Sequence, residues 1–474
     1  MRLFILIILL LSKALMGVEI DAGSVSGSWL KSDTPHYING DISVENGTTL
    51  TIEPGVEVIF SGHFKFSVNG QINAVGSQAD SIRFYSTNTN AGWAGLKFDT
   101  VEASNDTSKF KYCSIKYCKN MYNPNYGIKG GAFYIKKCEK LIIENCSIIR
   151  NVSQFGGAIH CYWNGNAVIR NNDLSYNEGE SEGGAIYIDD SKPFIDGNII
   201  SNNSTYGYGG GVYGNLAGGV ILNNQISSNI AGYGGGISFL DSYLIVTGNT
   251  INNNNSNIDA RGGGGCYIGK SNMSVTNEVK LYNNKIHENT TAGYGGGIYL
   301  HEFVQPKIVG NLIVDNGSYG IYCGYASSGN ITNCTILANS DGGIYYSQST
   351  EGIAVNCILR DNSDSQVEIA NSNCVLDFKL SNIQGGQAGF FGTTFNGTYE
   401  NNIDTDPLFL ASGDAPYQLA ANSPCKNAGT EDASGLSLPG LDLMGNPRIF
   451  GRIDMGAYEL PNQVPVINSY TPIE

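Results

Sequence analysis

The stretch GGAIYIDD from Gly183 to Asp190, followed by DGNIISNN from Asp196 to Asn203, decides the fold, because most of the chain repeats it. In the second unit an aliphatic residue recurs at Ile115, Ile148, Leu174, Ile200, Ile226, Ile251, Ile286, Ile313, Ile336 and Leu359, at steps of 23 to 35 residues. Two positions earlier stand Cys113, Cys146, Asn172, Asn198, Asn224, Asn249, Asn284, Asn311, Cys334 and Cys357. Three positions later stand Cys118, Asn151, Asn177, Asn203, Asn229, Asn254, Asn289, Asn316, Asn339 and Asn362. The first unit recurs as a glycine pair followed by alternating side chains, from Gly130, Gly156, Gly183, Gly209, Gly234, Gly263 and Gly295, and in shortened form at Gly320 and Gly343. Glycine pairs mark bends, and alternation marks strands, so Ile186 and Ile188 point inward while Tyr187 points outward.

Short strands separated by bends leave no room for crossover helices. A single coil cannot bury its apolar face, so coils must stack, each strand pairing with its equivalent in the next. Parallel in-register pairing sets identical residues about 4.8 Å apart, which turns the aliphatic column into a core and the asparagine column into an amide ladder on a bend. Asparagine also tolerates the left-handed backbone that a sharp bend requires. The ten registered coils predict a rod segment of about 43 Å. A leucine-rich horseshoe would need a leucine-dominated repeat with helical outer segments, and a β-sandwich has no reason for so strict a register. The fold class is therefore all-β, a right-handed single-stranded parallel β-helix. An N-terminal cap is expected over about 30–60, where alternation breaks at Glu53-Pro54-Gly55. The two longest steps predict loops over 121–128 and within 254–279.

Arg2, the apolar run from Leu3 to Leu11, and the small residues around Ala14 and Gly17 follow the plan of an export signal over residues 1–17, too short for a membrane span. The expected product is secreted or displayed on the cell surface. Lys plus Arg number 27 and Asp plus Glu 42, a net charge of -15 that argues against nucleic acid as a partner. Eleven cysteines without metal-type CxxC pairs sit mostly at ladder and core positions, which favours buried free thiols; Cys113 with Cys146, and Cys334 with Cys357, are the pairs near enough in register to bridge.

The outward position of the glycine unit reads Tyr134, His160, Tyr187, Tyr213, Ser238, Tyr267, Tyr299, Tyr322 and Tyr345. Rings carrying hydroxyls suit the apolar faces and hydroxyls of sugars, and a solenoid aligns them along a polymer. Stacking between neighbouring strands is the competing, structural role. The next outward position adds Lys136, Tyr162, Asp189, Asn215 and His301, so the expected ligand-binding set is the tyrosines together with His160 and His301. For catalysis, His160, Lys136 and Asp189 form the best local cluster. Glu180, Glu182, Asp189 and Asp190 are candidate oxygen ligands for Ca²⁺. Gly264 followed by Gly269-Lys270-Ser271 matches a phosphate-loop spacing, but it lies inside the coil repeat with no helix after it, so no nucleotide is expected.

These repeats resemble the right-handed parallel β-helix repeat superfamily, which includes pectin- and alginate-degrading lyases and many secreted surface proteins. The C-terminal stretch is more particular: Asp406-Pro407-Leu408-Phe409, Ser423 to Gly429, Asp442-Leu443-Met444-Gly445-Asn446-Pro447-Arg448 and Ile453 to Glu459. It resembles the closing module of the choice-of-anchor Q family, where the module ends the helix ahead of a surface anchor. The resemblance implies a β-helix over 18–460, a closing module over about 403–460, and a linker at 461–474 toward a further domain or anchor. Three functions are expected in order: a surface scaffold binding polysaccharide along the tyrosine face, a polysaccharide lyase or glycoside hydrolase, and a structural or adhesive rod.

Overall fold

The computed structural model describes residues 17–120, 130–256, 262–271, 278–413, 415–449 and 451–460. Residues 1–16 of the expected export signal, the loop at 121–128, parts of the second loop (257–261 and 272–277) and the linker at 461–474 lie outside the described residues.

Each coil contributes one short strand to each of three parallel sheets, and every sheet holds fifteen strands in unbroken chain order. Sheet I contains Ile199–Ser201, sheet II contains Val212–Asn215 and sheet III contains Val220–Leu222, each followed one coil later by its equivalent. The register is the one the repeat dictates: Ile148 pairs with Leu174, Leu174 with Ile200, and Ile200 with Ile226. All ten members of the aliphatic column have no exposed surface. Replacing any one with alanine would cost about 2–5 kcal/mol, since a stacked interior has little freedom to collapse around a hole.

The polar ladder is double. One asparagine column precedes sheet I and a second follows it, so both asparagine positions of the repeat form ladders and both bends flanking that sheet are laced, rather than one bend as expected. In the first column the Nδ2 of Asn198 donates to Oδ1 of Asn224 (2.9 Å), which also accepts the Asn198 backbone N-H (2.8 Å). In the second, the Nδ2 of Asn203 donates to Oδ1 of Asn229 in the same way (2.9 Å). The remaining Nδ2 proton reaches a carbonyl of the preceding coil, Ile169 for Asn198 and Leu174 for Asn203. Each buried amide is thereby satisfied on both sides, as a buried polar group requires.

The left-handed backbone falls one residue before each ladder asparagine rather than on it. Ahead of the first column the left-handed residues alternate as Asn171, Gly197, Asn223, Gly248, Asn283 and Gly310. The alternation has a steric cause: a Cβ on Gly248 would stand 2.5 Å from Oδ1 of Asn223, whose side chain lies across the next coil.

All eleven cysteines are free and buried. Cys146 continues the first ladder, its N-H donating to Oδ1 of Asn172 (2.8 Å), and at the other end the Cys357 N-H donates to Oγ of Ser381 (3.0 Å). Thiols thus occupy rungs at both ends of the asparagine run.

The expected cap over about 30–60 is not a separate element. Stacking already begins with Val18–Ile20, which pairs with His36–Ile38, and Ile42–Val44, Thr49–Ile52 and Glu57–Phe60 continue the three sheets. The break at Glu53-Pro54-Gly55 is the bend from sheet III to sheet I, with Gly55 at φ 81°.

After the last strand of sheet III, Gly397–Glu400, the chain turns back along the rod. Leu419, Cys425, Met455, Ala457 and Tyr458 cover Leu312, Val314, Leu337 and Ile358 on the outer face of sheet I. This clamp is held by a buried polar network: Arg448, with no exposed surface, donates to the carbonyl of Ala457 (2.7 Å) and lies 3.9 Å from Glu459. Asp442 accepts the N-H groups of Asn446 and Glu459, and Asp454 accepts those of Asn427 and Leu460. The clamp joins the helix through Ala457, whose N-H donates to Oγ1 of Thr335 (3.0 Å), and Asn333, whose Nδ2 donates to the Asp454 carbonyl (2.8 Å).

Candidate functional site

The glycine unit places the predicted aromatic column on the outer face of sheet II. Tyr134 pairs with His160, His160 with Tyr187, Tyr187 with Tyr213, and, beyond Ser238, Tyr267 with Tyr299, Tyr299 with Tyr322 and Tyr322 with Tyr345. The flanking residues of each strand, such as Ile186 and Ile188, are fully buried in the core, so the expected alternation holds.

The column is nonetheless covered, contrary to the expectation of an open stripe. His160 is 1% exposed, Tyr213 and Tyr267 3%, Tyr187 6%, and Tyr134 and Tyr299 9%; Tyr322, Tyr345 and His301 are half-buried. Two physical causes act together. In-register pairing stacks the rings on one another, with His160 and Tyr187 4.7 Å apart and 15° from parallel, and Tyr187 and Tyr213 at 5.0 Å and 18°. A second aromatic row then lies across them: Phe155, Tyr208, Tyr233, Tyr294 and Tyr319, each immediately ahead of a glycine unit. This row is half-buried, with Tyr294 52% exposed. The residue before the glycines was a readable signal in the sequence, and it marks the accessible row.

The second row also repairs the gap at Ser238. Tyr213 stacks with Tyr208 (5.4 Å), Tyr208 with Tyr233 (4.7 Å), and Tyr233 meets Tyr267 (4.9 Å). Ring contacts therefore run without interruption from Tyr134 to Tyr345. Burial pushes the hydroxyls of Tyr187, Tyr213 and Tyr267 far above the ordinary tyrosine range, so they stay protonated donors.

The candidate catalytic residues do not assemble. His160 is enclosed by Tyr134, Phe155, Tyr162 and Tyr187 and presents almost no surface to a polymer. Lys136 pairs with Asp99 (3.1 Å), which also holds Lys97 (3.3 Å). Asp189 accepts from Nδ2 of Asn215 (3.3 Å), and the carboxylates of Asp189 and Glu182 add to burial in raising the pKa of the Tyr187 hydroxyl. Asp190 occupies the following bend at φ 46°, while Glu180 belongs to the strand Glu178–Glu182. Among the described residues no three His, Cys, Asp or Glu side chains converge on a point that could hold a metal ion, so the four carboxylates expected to bind Ca²⁺ do not form a set. His301 sits beside Tyr267 and Tyr299, each 5.8 Å away; burial lowers its pKa, with Glu302 opposing.

The model of the right-handed β-helix region matches residues 99–279 and 255–384. The chain belongs to the right-handed β-helix family. No curated protein matches the sequence. Among solved structures, a mutant of the periplasmic alginate epimerase AlgG is 14% identical over 73% of this chain and 75% of that one, at a TM-score of 0.34. A pectate lyase is 14% identical over 88% of this chain and 89% of that one, at a TM-score of 0.35. The A-module of a mannuronan C-5 epimerase from Azotobacter vinelandii is 12% identical over 82% and 91%, at a TM-score of 0.24. The assignment of this β-helix protein to its family rests on the sequence match. Among the described residues no helix is long and apolar enough to cross a membrane.

Proposed function

We propose that this β-helix protein is an exported or cell-surface scaffold that binds polysaccharide along the outer aromatic surface of sheet II. The observation that carries the reading is the uninterrupted chain of ring contacts from Tyr134 to Tyr345, topped by a second, accessible row. The buried inner row acts as a rigid pedestal, and the outer row of Phe155, Tyr208, Tyr233, Tyr294 and Tyr319 offers edges and hydroxyls to a ligand. Rings ordered in advance lose little freedom on binding, which favours affinity at low entropic cost. A long shallow surface suits a polymer better than a small molecule, which calls for an enclosing pocket. The same reading takes residues 403–460 as a closing module, resembling that of choice-of-anchor Q proteins, ahead of a surface anchor.

Binding is favoured over cleavage because His160, Lys136 and Asp189 are each committed to packing or pairing within the fold. Affinity electrophoresis through gels containing neutral and acidic polysaccharides, paired with analysis of reaction products, tests the reading. Retardation without new chain ends is the expected result. No retardation in any gel would overturn binding, and new reducing or unsaturated ends would replace it with a lyase or hydrolase.

A further inference from the structure

The bend after sheet II carries one irregularity. Lys136 pairs with Tyr162 and Cys138 with Gly165, so the register shifts and two residues, Trp163 and Asn164, stand opposite Lys137 alone. Both adopt the left-handed conformation, at φ 42° and 60°, a costly choice for tryptophan. The bulge lifts the indole out of the stack: Trp163 is 44% exposed, whereas Trp29 and Trp93 are 7% and 0% exposed. Lys137 covers one face of the ring, its Nζ 4.1 Å from the centroid. Beside it opens a groove of about 400 Å³ lined by Val101, Glu102, Ala103, Lys137, Glu139, Lys140 and Asn164. Tyr162, 6.5 Å from Trp163 and 6.4 Å from Tyr134, connects this corner to the aromatic surface.

We propose that Trp163 and the adjoining groove form a subsite for one neutral pyranose unit of the bound polymer. This rests on the polysaccharide-binding reading above and names where, and for what sugar, that binding is selective. An exposed indole offers the apolar platform that the C-H face of a pyranose needs. The groove supplies both kinds of partner for hydroxyls: Glu102 and Glu139 accept, Lys137 donates, and the Asn164 amide does both. Lys140 is already engaged, its Nζ donating to the carbonyls of Ala103 (2.6 Å) and Asn105 (2.9 Å), and it shapes the wall. Two carboxylates against two ammonium groups leave the groove with no net charge. A groove without net charge gives a uronate carboxylate no net attraction to offset the loss of its hydration, so the corner favours neutral sugar.

Trp163 is also the natural reporter, because the other two tryptophans are buried. Acrylamide quenching of intrinsic fluorescence should fall at least twofold when neutral oligosaccharides of glucan, galactan, mannan or xylan occupy the site, and should not change with oligogalacturonate or oligoalginate. Glu139→Gln should weaken the protecting oligosaccharide about fivefold, and Trp163→Asn, which tolerates the left-handed backbone, should lose its binding by calorimetry with an unchanged circular dichroism spectrum. Protection by no neutral sugar, or stronger protection by uronate, would overturn the subsite. If the polysaccharide retards wild type and Trp163→Asn equally, the subsite fails while the aromatic surface stands; if wild type is retarded by nothing, both fail.

Discussion

Tyr208 and Tyr233, 4.7 Å apart and 9° from parallel, carry the aromatic surface across the coil where Ser238 interrupts the inner column. Neither belongs to the column that the alternating pattern singles out. They precede the glycine pairs, where the chain crosses from sheet I toward sheet II, and their rings fall where the serine leaves room.

The asparagine ladder fixes the stability of the rod. Asn224→Ala removes the acceptor of the Asn198 amide and backbone N-H, and also the donor to Oδ1 of Asn249 (2.9 Å). Leaving those buried groups unmet should cost about 2–4 kcal/mol. Asn252→Ala, on the outer face of the same sheet, should cost less than about 0.5 kcal/mol. Urea denaturation of the two variants gives the comparison, and equal losses would deny the ladder its role.

The alternation of asparagine and glycine before sheet I predicts a coupled pair. Gly248→Ala meets both a φ of 67° and the Asn223 side chain, and should lose about 1–3 kcal/mol. Adding Asn223→Gly removes the collision, so the double variant should be more stable than the sum of the singles by about 0.5–1.5 kcal/mol. Strict additivity in a double-mutant cycle would show that only the backbone conformation matters.

The clamp should weaken as pH rises. Burial first, and the charge of Asp454 second, push Glu459 up to about 8 from an ordinary 4.5, and burial raises Asp454 as well. A carboxyl whose folded pKa is raised holds its proton more tightly in the folded state. Its contribution is complete below about pH 4.5 and is lost as pH climbs through about 8. Hydrogen exchange at Met455 and Ala457 should be slower at pH 5 than at pH 9 after correction for intrinsic rates, and Glu459→Gln should flatten that dependence. An unchanged slope in the variant would assign it elsewhere.

Thiol titration tests the ladder ends. The native chain should react with less than one equivalent of a bulky thiol reagent, because all eleven cysteines are buried, and the unfolded chain with eleven. A smaller number after unfolding without reductant would reveal a bridge, with Cys113 and Cys146 the first pair to examine.

The sequence made the interior legible because in-register stacking repeats every packing demand: Ile148, Leu174 and Ile200 occupy one environment, so one pattern describes them all. The surface was less legible. Alternation places Tyr187 on the outer face, yet its burial depends on Phe155 lying across it from the preceding bend, a contact between positions that strand periodicity does not relate. His160 reads as a catalytic candidate by residue type, while its setting between Tyr134 and Tyr187 makes it one more ring in the stack. Trp163 carries no mark in the repeat, because a one-residue register shift becomes visible only against the neighbouring strand.

Binding along the outer aromatic row is put to the sharpest test by affinity electrophoresis of Tyr233→Ala/Tyr294→Ala beside Tyr213→Phe, in a polysaccharide that retards the wild-type chain. Tyr294 is exposed and Tyr233 half-buried, whereas Tyr213 is buried in the pedestal. The double variant should lose at least fivefold in affinity with its fold intact, and Tyr213→Phe should bind as wild type does. Equal retardation of the double variant and wild type would remove the outer aromatic row as the binding surface.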